Sequence, residues 1–275
     1  MIKIEVQDVC LSYGRKIVLS ELTFQLRPGE MVGLIGPNGC GKSTVIRALS
    51  HVIVPYSGKI FLDGQDVTRL PKRDLARLLA VVPQMPLLPS AFTAFEIVLM
   101  GRNPHLGLFQ YEKQKDLAIV WQAMKKTGTQ PLAERRVGEL SGGEIQSLLI
   151  ARALAQETKA ILLDEPTANL DIGRQVEVLD LIKALCRKDN LVVLAALHDL
   201  NLAAQYCDQL MLINNGRIYA EGAPAEVITA DNIAAVYGTE SCVYAHPANG
   251  LPCVLLGADI SRNDSNQRKN RRDAG

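Results

Sequence analysis

Apolar and polar positions alternate along the first sixty residues and then give way to helical spacing. KIEVQDV (3–9), LTFQL (22–26), MVGLIG (31–36) and KIFLDG (59–64) read as short strands, with turns at Arg27-Pro28-Gly29 and Ser57-Gly58. MVGLIG carries no charge, as befits a strand buried on both faces of a parallel sheet. A helix is expected after it, roughly Lys42 to His51. From about Arg73 to Gln156, DLARLLA, TAFEIVLMG, EKQKDLAIVWQAMKKTG and EIQSLLIARALAQ repeat their apolar residues every three or four positions. Pro83, Pro86 and Pro89 mark the entry to this block. Strands then return as AILLDE (160–165), LVVLAAL (191–197) and QLMLIN (209–214), with VEVLDLIKALCRK (176–188) as a helix between the first two. The pattern predicts an α/β core, 1–84 and 157–240, with a helical subdomain of about 85–156 inserted in it.

Composition narrows the class. Of 275 residues, 48% are hydrophobic and 21% charged, ordinary for a globular chain with a real core. Lys and Arg number 30 against 29 acids, so nothing in the charge balance calls for nucleic acid or an anionic membrane. No apolar run approaches the roughly 18 residues needed to span a bilayer. The first residues alternate and carry early acids, which suits a strand and not a signal peptide. Six cysteines (Cys10, Cys40, Cys186, Cys207, Cys242, Cys253) are scattered without a CxxC pair, so no zinc site or disulfide framework is expected and a reducing cytoplasm is the default. Residues 241–275 read as a C-terminal extension. Its last fifteen, SRNDSNQRKNRRDAG, are polar, basic and without aromatics, the composition of a disordered tail.

Chemistry enters at GPNGCGKS. Gly36 to Ser43 fits G-x-x-x-x-G-K-[ST], between an apolar strand and a helix. Glycines let successive backbone N–H groups face one point, and the helix start adds its positive end. Gly36, Pro37, Asn38, Gly39, Cys40 and Gly41 then form a phosphate cradle. Lys42 reaches the β and γ phosphates, the Ser43 hydroxyl suits Mg²⁺, and Thr44 lies beside the α and β phosphates. Cys40 is expected to supply only its N–H. Its place beside Lys42 and a helix start would also favour a reactive thiolate.

AILLDE ends an apolar strand in two acids, which need a cation or protons to pair with. Asp164 suits the Mg²⁺ shell, and Glu165 can take a proton from an attacking water. LVVLAAL runs in the same way into His198, which can hold the γ-phosphate and that water. Gln84, after AVVP, offers an amide that ligates Mg²⁺ or orients water without titrating.

LSGGE (140–144) reads either as a helix N-cap followed by glycines or as a second anion cradle used by another molecule. Ser141 can cap the helix it opens, and Gly142 and Gly143 leave its amides bare. A single nucleotide does not need two cradles. Taken with GPNGCGKST, Gln84, ILLDEP, NLD (169–171) and His198, this segment resembles the ATPase subunit of ABC transporters, in order and spacing, over roughly residues 3 to 240. The resemblance implies a P-loop NTPase (RecA-like) core with an antiparallel β segment at the N-terminus and an inserted α-helical subdomain. It implies a head-to-tail dimer in which Ser141, Gly142 and Gly143 of one copy close on ATP held by the other. It also implies that Tyr13 stacks on adenine, that Glu165 is the general base, and that Asp171 links the two sites.

MGRNPHLGLF (100–109), HDLNLAAQYCDQLMLINNGRIYAEGAPAEVIT (198–229) and NIAAVYG (232–238) resemble the ATPases of importers for iron-siderophores, haem and cobalamin. That implies two membrane permease subunits as partners, a substrate-binding protein acting indirectly, and a peripheral place on the cytoplasmic face of the membrane. No nucleic-acid partner is expected. Ile145-Gln146-Ser147 stands where the family usually has Arg-Gln-Arg, so two basic groups are missing near the second cradle. Cys40 stands where a small Ala or Ser is usual. A soluble ABC-type ATPase would carry two cassettes or a coiled-coil insertion, and a P-loop kinase or GTPase would not need LSGGE.

Overall fold

The computed structural model describes residues 3–84, 87–107 and 110–256. Pro86, Leu108, Phe109 and the tail from Ser261 lie outside the described residues. Two long strands open the chain, β1 (Ile4–Tyr13) and β2 (Lys16–Leu26). They extend the alternating segments to a turn at Gly14, with register shifts between Val6 and Ser12. Strand β3 (Met31–Ile35) and helix α1 (Lys42–Leu49) follow. Strands β4 (Ser57–Leu62) and β5 (Gln65–Asp66) return to the hairpin, completing an antiparallel sheet of order β2-β1-β4-β5.

Helix α2 (Lys72–Leu78) runs straight into β6 (Leu79–Val82). Here the helical reading of DLARLLA overshoots. Leu79 and Ala80 pair with the following core strand and are buried, so the need to fill the sheet overrides their helical spacing. Next come α3 (Ala94–Leu99), α4 (Gln114–Lys126) and α5 (Gly142–Ala155). Thr93 and Glu96 start α3 with reciprocal side-chain-to-backbone bonds. The remainder alternates again, with β7 (Ala160–Asp164), α6 (Ile172–Lys188), β8 (Val192–Ala196), α7 (Leu200–Tyr206), β9 (Gln209–Asn214) and β10 (Arg217–Gly222). Helices α8 (Pro224–Val227) and α9 (Ala230–Tyr237) and the hairpin β11 (Ser241–Ala245) and β12 (Pro252–Leu256) close it.

Six strands form the central sheet in the order β10-β9-β3-β8-β7-β6, all parallel except the edge strand β10. Period-two alternation sends Ala160 and Leu162, Val192 and Leu194 to one face, where they meet α1 and the antiparallel sheet. Ile161 and Leu163, Val193 and Ala195 point to the other face, against α5, α6 and α7. Both faces are dry, so these strands are uncharged until they reach the sheet edge. The hairpin β11–β12 belongs to this body. Val254 is buried, and its N–H and C=O bond the Asn201 side chain of α7 at 2.7 and 3.2 Å. Among the described residues, no helix is long and apolar enough to cross a membrane.

Helices α3, α4 and α5 enclose a separate core of Ile97, Val98, Val120, Met124, Leu148 and Ala151. Helix α5 serves both cores, since Leu149, Ile150 and Ala153 face the sheet. A buried cation locks the helical block to the end of α5. Arg102, 3% exposed, donates through Nε to Asp116 Oδ1 at 2.9 Å and through Nη1 to the Ala155 carbonyl at 2.7 Å and to Glu157 Oε2 at 2.9 Å. Removing the guanidinium leaves Asp116 buried without its counter-charge. Arg102→Ala is therefore expected to cost about 3–5 kcal/mol of stability, read as a lowered urea midpoint. An unchanged midpoint would show that this cluster does not hold the block.

Candidate active site

Strands β3, β8, β7 and β6 are neighbours, parallel and in register, with Leu34 opposite Ala196 and Ala196 opposite Asp164. Their C-terminal ends therefore release their next residues at one edge. From β3 comes the loop 36–43, from β8 His198, from β7 Asp164 and Glu165, and from β6 Gln84. Polar groups appear there because each strand has left the two buried layers.

The loop curls through left-handed backbone at Gly36 (φ 144°), Gly39 (77°) and Gly41 (116°). A Cβ on Gly36 would lie 2.3 Å from the Ile213 carbonyl, and one on Gly41 would lie 2.7 Å from Leu19 Cδ2. The turn thus needs glycine for space as well as for conformation. Lys42 is buried and donates to the Gly36 and Pro37 carbonyls at 2.7 and 3.2 Å, so its charge lies inside the curl. Ser43 Oγ donates to Asp164 Oδ1 at 2.9 Å. Burial pushes the Asp164 carboxyl above the ordinary carboxylate range, and Ser43 offsets part of that. A desolvated carboxylate next to a hydroxyl is a donor set that fits Mg²⁺, which takes few protein oxygens and completes its shell with phosphate and water.

Glu165 follows with φ 52°, left-handed for a non-glycine residue, at a cost of about 1–2 kcal/mol. Its N–H bonds the Ala196 carbonyl at 3.2 Å, so the turn is pinned to the neighbouring strand. The strained turn sets the carboxylate between two partners. Gln84 Nε2 donates to Oε2, and His198 Nε2 pairs with Oε1. Gln84 is thus brought to Glu165, while Ser43 is the group brought to Asp164.

Cys40 is buried, and burial raises its thiol pKa, with Lys42 offsetting only part. That direction favours the expected role of Cys40, a small residue that supplies its N–H, over a reactive thiolate. Cys40 sits beneath the loop, its Sγ 2.8 Å from where a Gly36 Cβ would be. Residues that sequence reasoning did not reach lie alongside. Tyr237 of α9 and Asn214–Gly216 wall a cavity with Pro37 to Cys40, and burial moves the Tyr237 hydroxyl up to about 12. Tyr13 stands at the tip of β1, 45% exposed, on the hairpin whose Val18 and Leu19 lean on Gly41. Thr44 lies in the first turn of α1, buried.

Ser141, Gly142 and Gly143 begin α5 and are not part of this cluster. Ser141 caps the helix with Glu144: the Ser141 N–H donates to Glu144 Oε2 at 2.7 Å and the Glu144 N–H to Ser141 Oγ at 3.4 Å. Their neighbours are Leu170 and Arg174 from the segment after β7. Asp171 caps α6, its Oδ1 accepting the Arg174 N–H at 2.9 Å.

Residues 19–168 match the family model for ABC transporters. The chain is 38% identical over 260 residues to the achromobactin transport ATP-binding protein CbrD of Dickeya dadantii, covering 94% of this chain and 97% of that one. It is 39% identical over 249 residues to the ferric enterobactin transport ATP-binding protein FepC of Escherichia coli, covering 90% and 92%. A solved structure of a chain from an inward-facing ABC transporter described as of metal-chelate type superposes with a TM-score of 0.82 at 29% identity, covering 94% and 99%.

Burial penalises the charged form of Asp164, so its folded pKa lies above its unfolded one. The carboxylate therefore lowers stability at neutral pH, and this penalty fades as pH falls through the raised pKa. In EDTA at pH 7, Asp164→Asn is expected to be at least as stable as the parent. The gap should close on acidification, measured by chemical denaturation. A strongly destabilised metal-free Asp164→Asn protein would contradict this account.

Proposed function

The chain belongs to the ABC transporter family as an ATP-binding subunit, and from that premise we propose that it powers an importer of iron-siderophore, haem or cobalamin-type metal chelates. It is an ATPase. The observation that carries the reading is Glu165, held between Gln84 and His198 on a strained turn beside the phosphate loop. That arrangement supports hydrolysis over mere nucleotide binding.

Loop amides and Lys42 bind the phosphates, and Tyr13 stacks on adenine. Ser43 and Asp164 would hold Mg²⁺, which neutralises phosphate charge when bound. Both carboxylate oxygens of Glu165 are engaged in the nucleotide-free chain. To act as general base, Glu165 must exchange one donor for the attacking water. His198 and Gln84 are the groups that can turn from Glu165 toward the γ-phosphate and that water, freeing the carboxylate only when nucleotide is present. ABC cassettes dimerise and work with membrane permeases. Two permease subunits, with a substrate-binding protein acting through them, would place the chain peripherally on the cytoplasmic face. Ser141 to Gly143 of one copy would close on ATP bound by the other, and Asp171 would couple the sites. The core of residues 1–84 and 157–240 would carry the nucleotide, and the helical block of about 85–156 would meet the permease.

The cargo class rests on relatives named for siderophore and cobalamin import, among them the two described above and a cobalamin import ATP-binding protein. Removing the chain from its host should abolish uptake of an iron-loaded siderophore, haem or cobalamin. Undiminished uptake of all three would point to a different solute. For the chemistry, Glu165→Gln is expected to keep ATP binding and lose roughly 10²–10⁴-fold in turnover, the range general bases contribute. It should also accumulate as an ATP-bound dimer, seen by light scattering. Parent-like turnover would remove Glu165 as the base.

A further inference from the structure

The sequence lacks two basic residues after LSGGE, and the fold brings a cation to the second cradle by another route. Arg174, in the first turn of α6, lies across Gly143. A Cβ built on that glycine would be 3.0 Å from Arg174 Cδ, 3.2 Å from Cγ and 3.4 Å from Nε. Even alanine at 143 would displace this side chain. Two anchors fix it: the Arg174 N–H on Asp171 Oδ1 at 2.9 Å, and Nη1 on Glu177 Oε2 at 2.6 Å. Among the described residues its Nε and Nη2 have no hydrogen-bond partner, and the side chain is 49% exposed.

The surroundings are selective. Ser141 and Glu144 satisfy each other, which leaves the Gly142 and Gly143 amides at the helix start without an intrahelical acceptor. Arg135, the other nearby cation, is committed to Glu144 Oε1 at 3.3 Å and the Glu139 carbonyl at 2.5 Å. Ile145 packs against the sheet core, so a basic residue at that position would have to leave the core to reach the cradle. Two bare amides with a planar guanidinium beside them match the oxygens of a phosphate.

We propose that Arg174 is a phosphate-binding residue of the second cradle, acting with Gly142 and Gly143 on the ATP held by the partner copy. This rests on the head-to-tail dimer proposed above. A lone α6 surface pair with Glu177 would contribute little to closure. A guanidinium on a γ-phosphate is a charge-assisted bond, whose loss weakens closure roughly ten-fold or more.

The test titrates MgATP against dimer formation in a Glu165→Gln background. Glu165→Gln alone sets the reference. Adding Arg174→Gln is expected to raise the ATP required roughly ten-fold or more, while Arg174→Lys recovers part of it by keeping the charge. ADP binding to the single copy should be unchanged in each. Closure at the reference ATP concentration in the Arg174→Gln protein would overturn the proposal and leave the dimer reading standing. An equal loss of single-copy ADP binding would assign Arg174 a structural role and also overturn it. If Glu165→Gln never dimerises, the dimer reading falls and this proposal with it.

Discussion

Parallel pairing of β3, β8, β7 and β6 is the constraint on which the rest depends. Parallel strands buried on both faces admit no charge along their length, so every polar group must wait for the strand end. Register then decides which polar groups meet. Because Leu34, Ala196 and Asp164 are level across three strands, the phosphate loop, His198 and the acid pair emerge side by side. A slip of one residue in β7 would turn Asp164 and Glu165 to opposite faces and bury Leu162 on the wrong side.

At that edge the protein holds groups in states it would not choose for stability. Lys42 is buried against loop carbonyls, Asp164 is desolvated beside Ser43, and Glu165 sits in left-handed backbone. Each state is tolerable because a neighbour compensates, and each anticipates a ligand. Buried cation and carboxylate suit phosphate and metal, and the strained turn aims a carboxylate that water can reach.

Helix α5 joins this site to the rest of the subunit. One face packs on the sheet and the other closes the core of the helical block. Its N-terminus carries Ser141 to Gly143, proposed to close on the partner's ATP, and its C-terminus is tied by Arg102 to the start of α4. Close-packed interiors transmit strain, so α5 couples the sheet core to the helical block.

Much was legible in the sequence. Alternation and helical spacing located the core strands, the helical block and the order of elements. Gly36 to Thr44 announced its turn because only glycine tolerates such backbone, and Ser141 announced a capped helix. Errors came where local pattern and tertiary demand diverge. DLARLLA continues a helical rhythm, yet Leu79 and Ala80 are taken by the sheet, because an unpaired place beside β7 costs more than a lost helical turn. The sequence neighbours of Cys40 favour a thiolate, whereas burial raises its thiol pKa, which no local pattern records. Glu165 between Gln84 and His198, and Arg174 over Gly143, join residues 31 to 81 positions apart. Sequence determined the residue types, the turn that only glycine allows and the strand ends that bear charge, since these follow from backbone sterics and the period of burial. Tertiary structure alone decided which charges meet, because partners across a sheet are chosen by register and packing, and neither has a local signature.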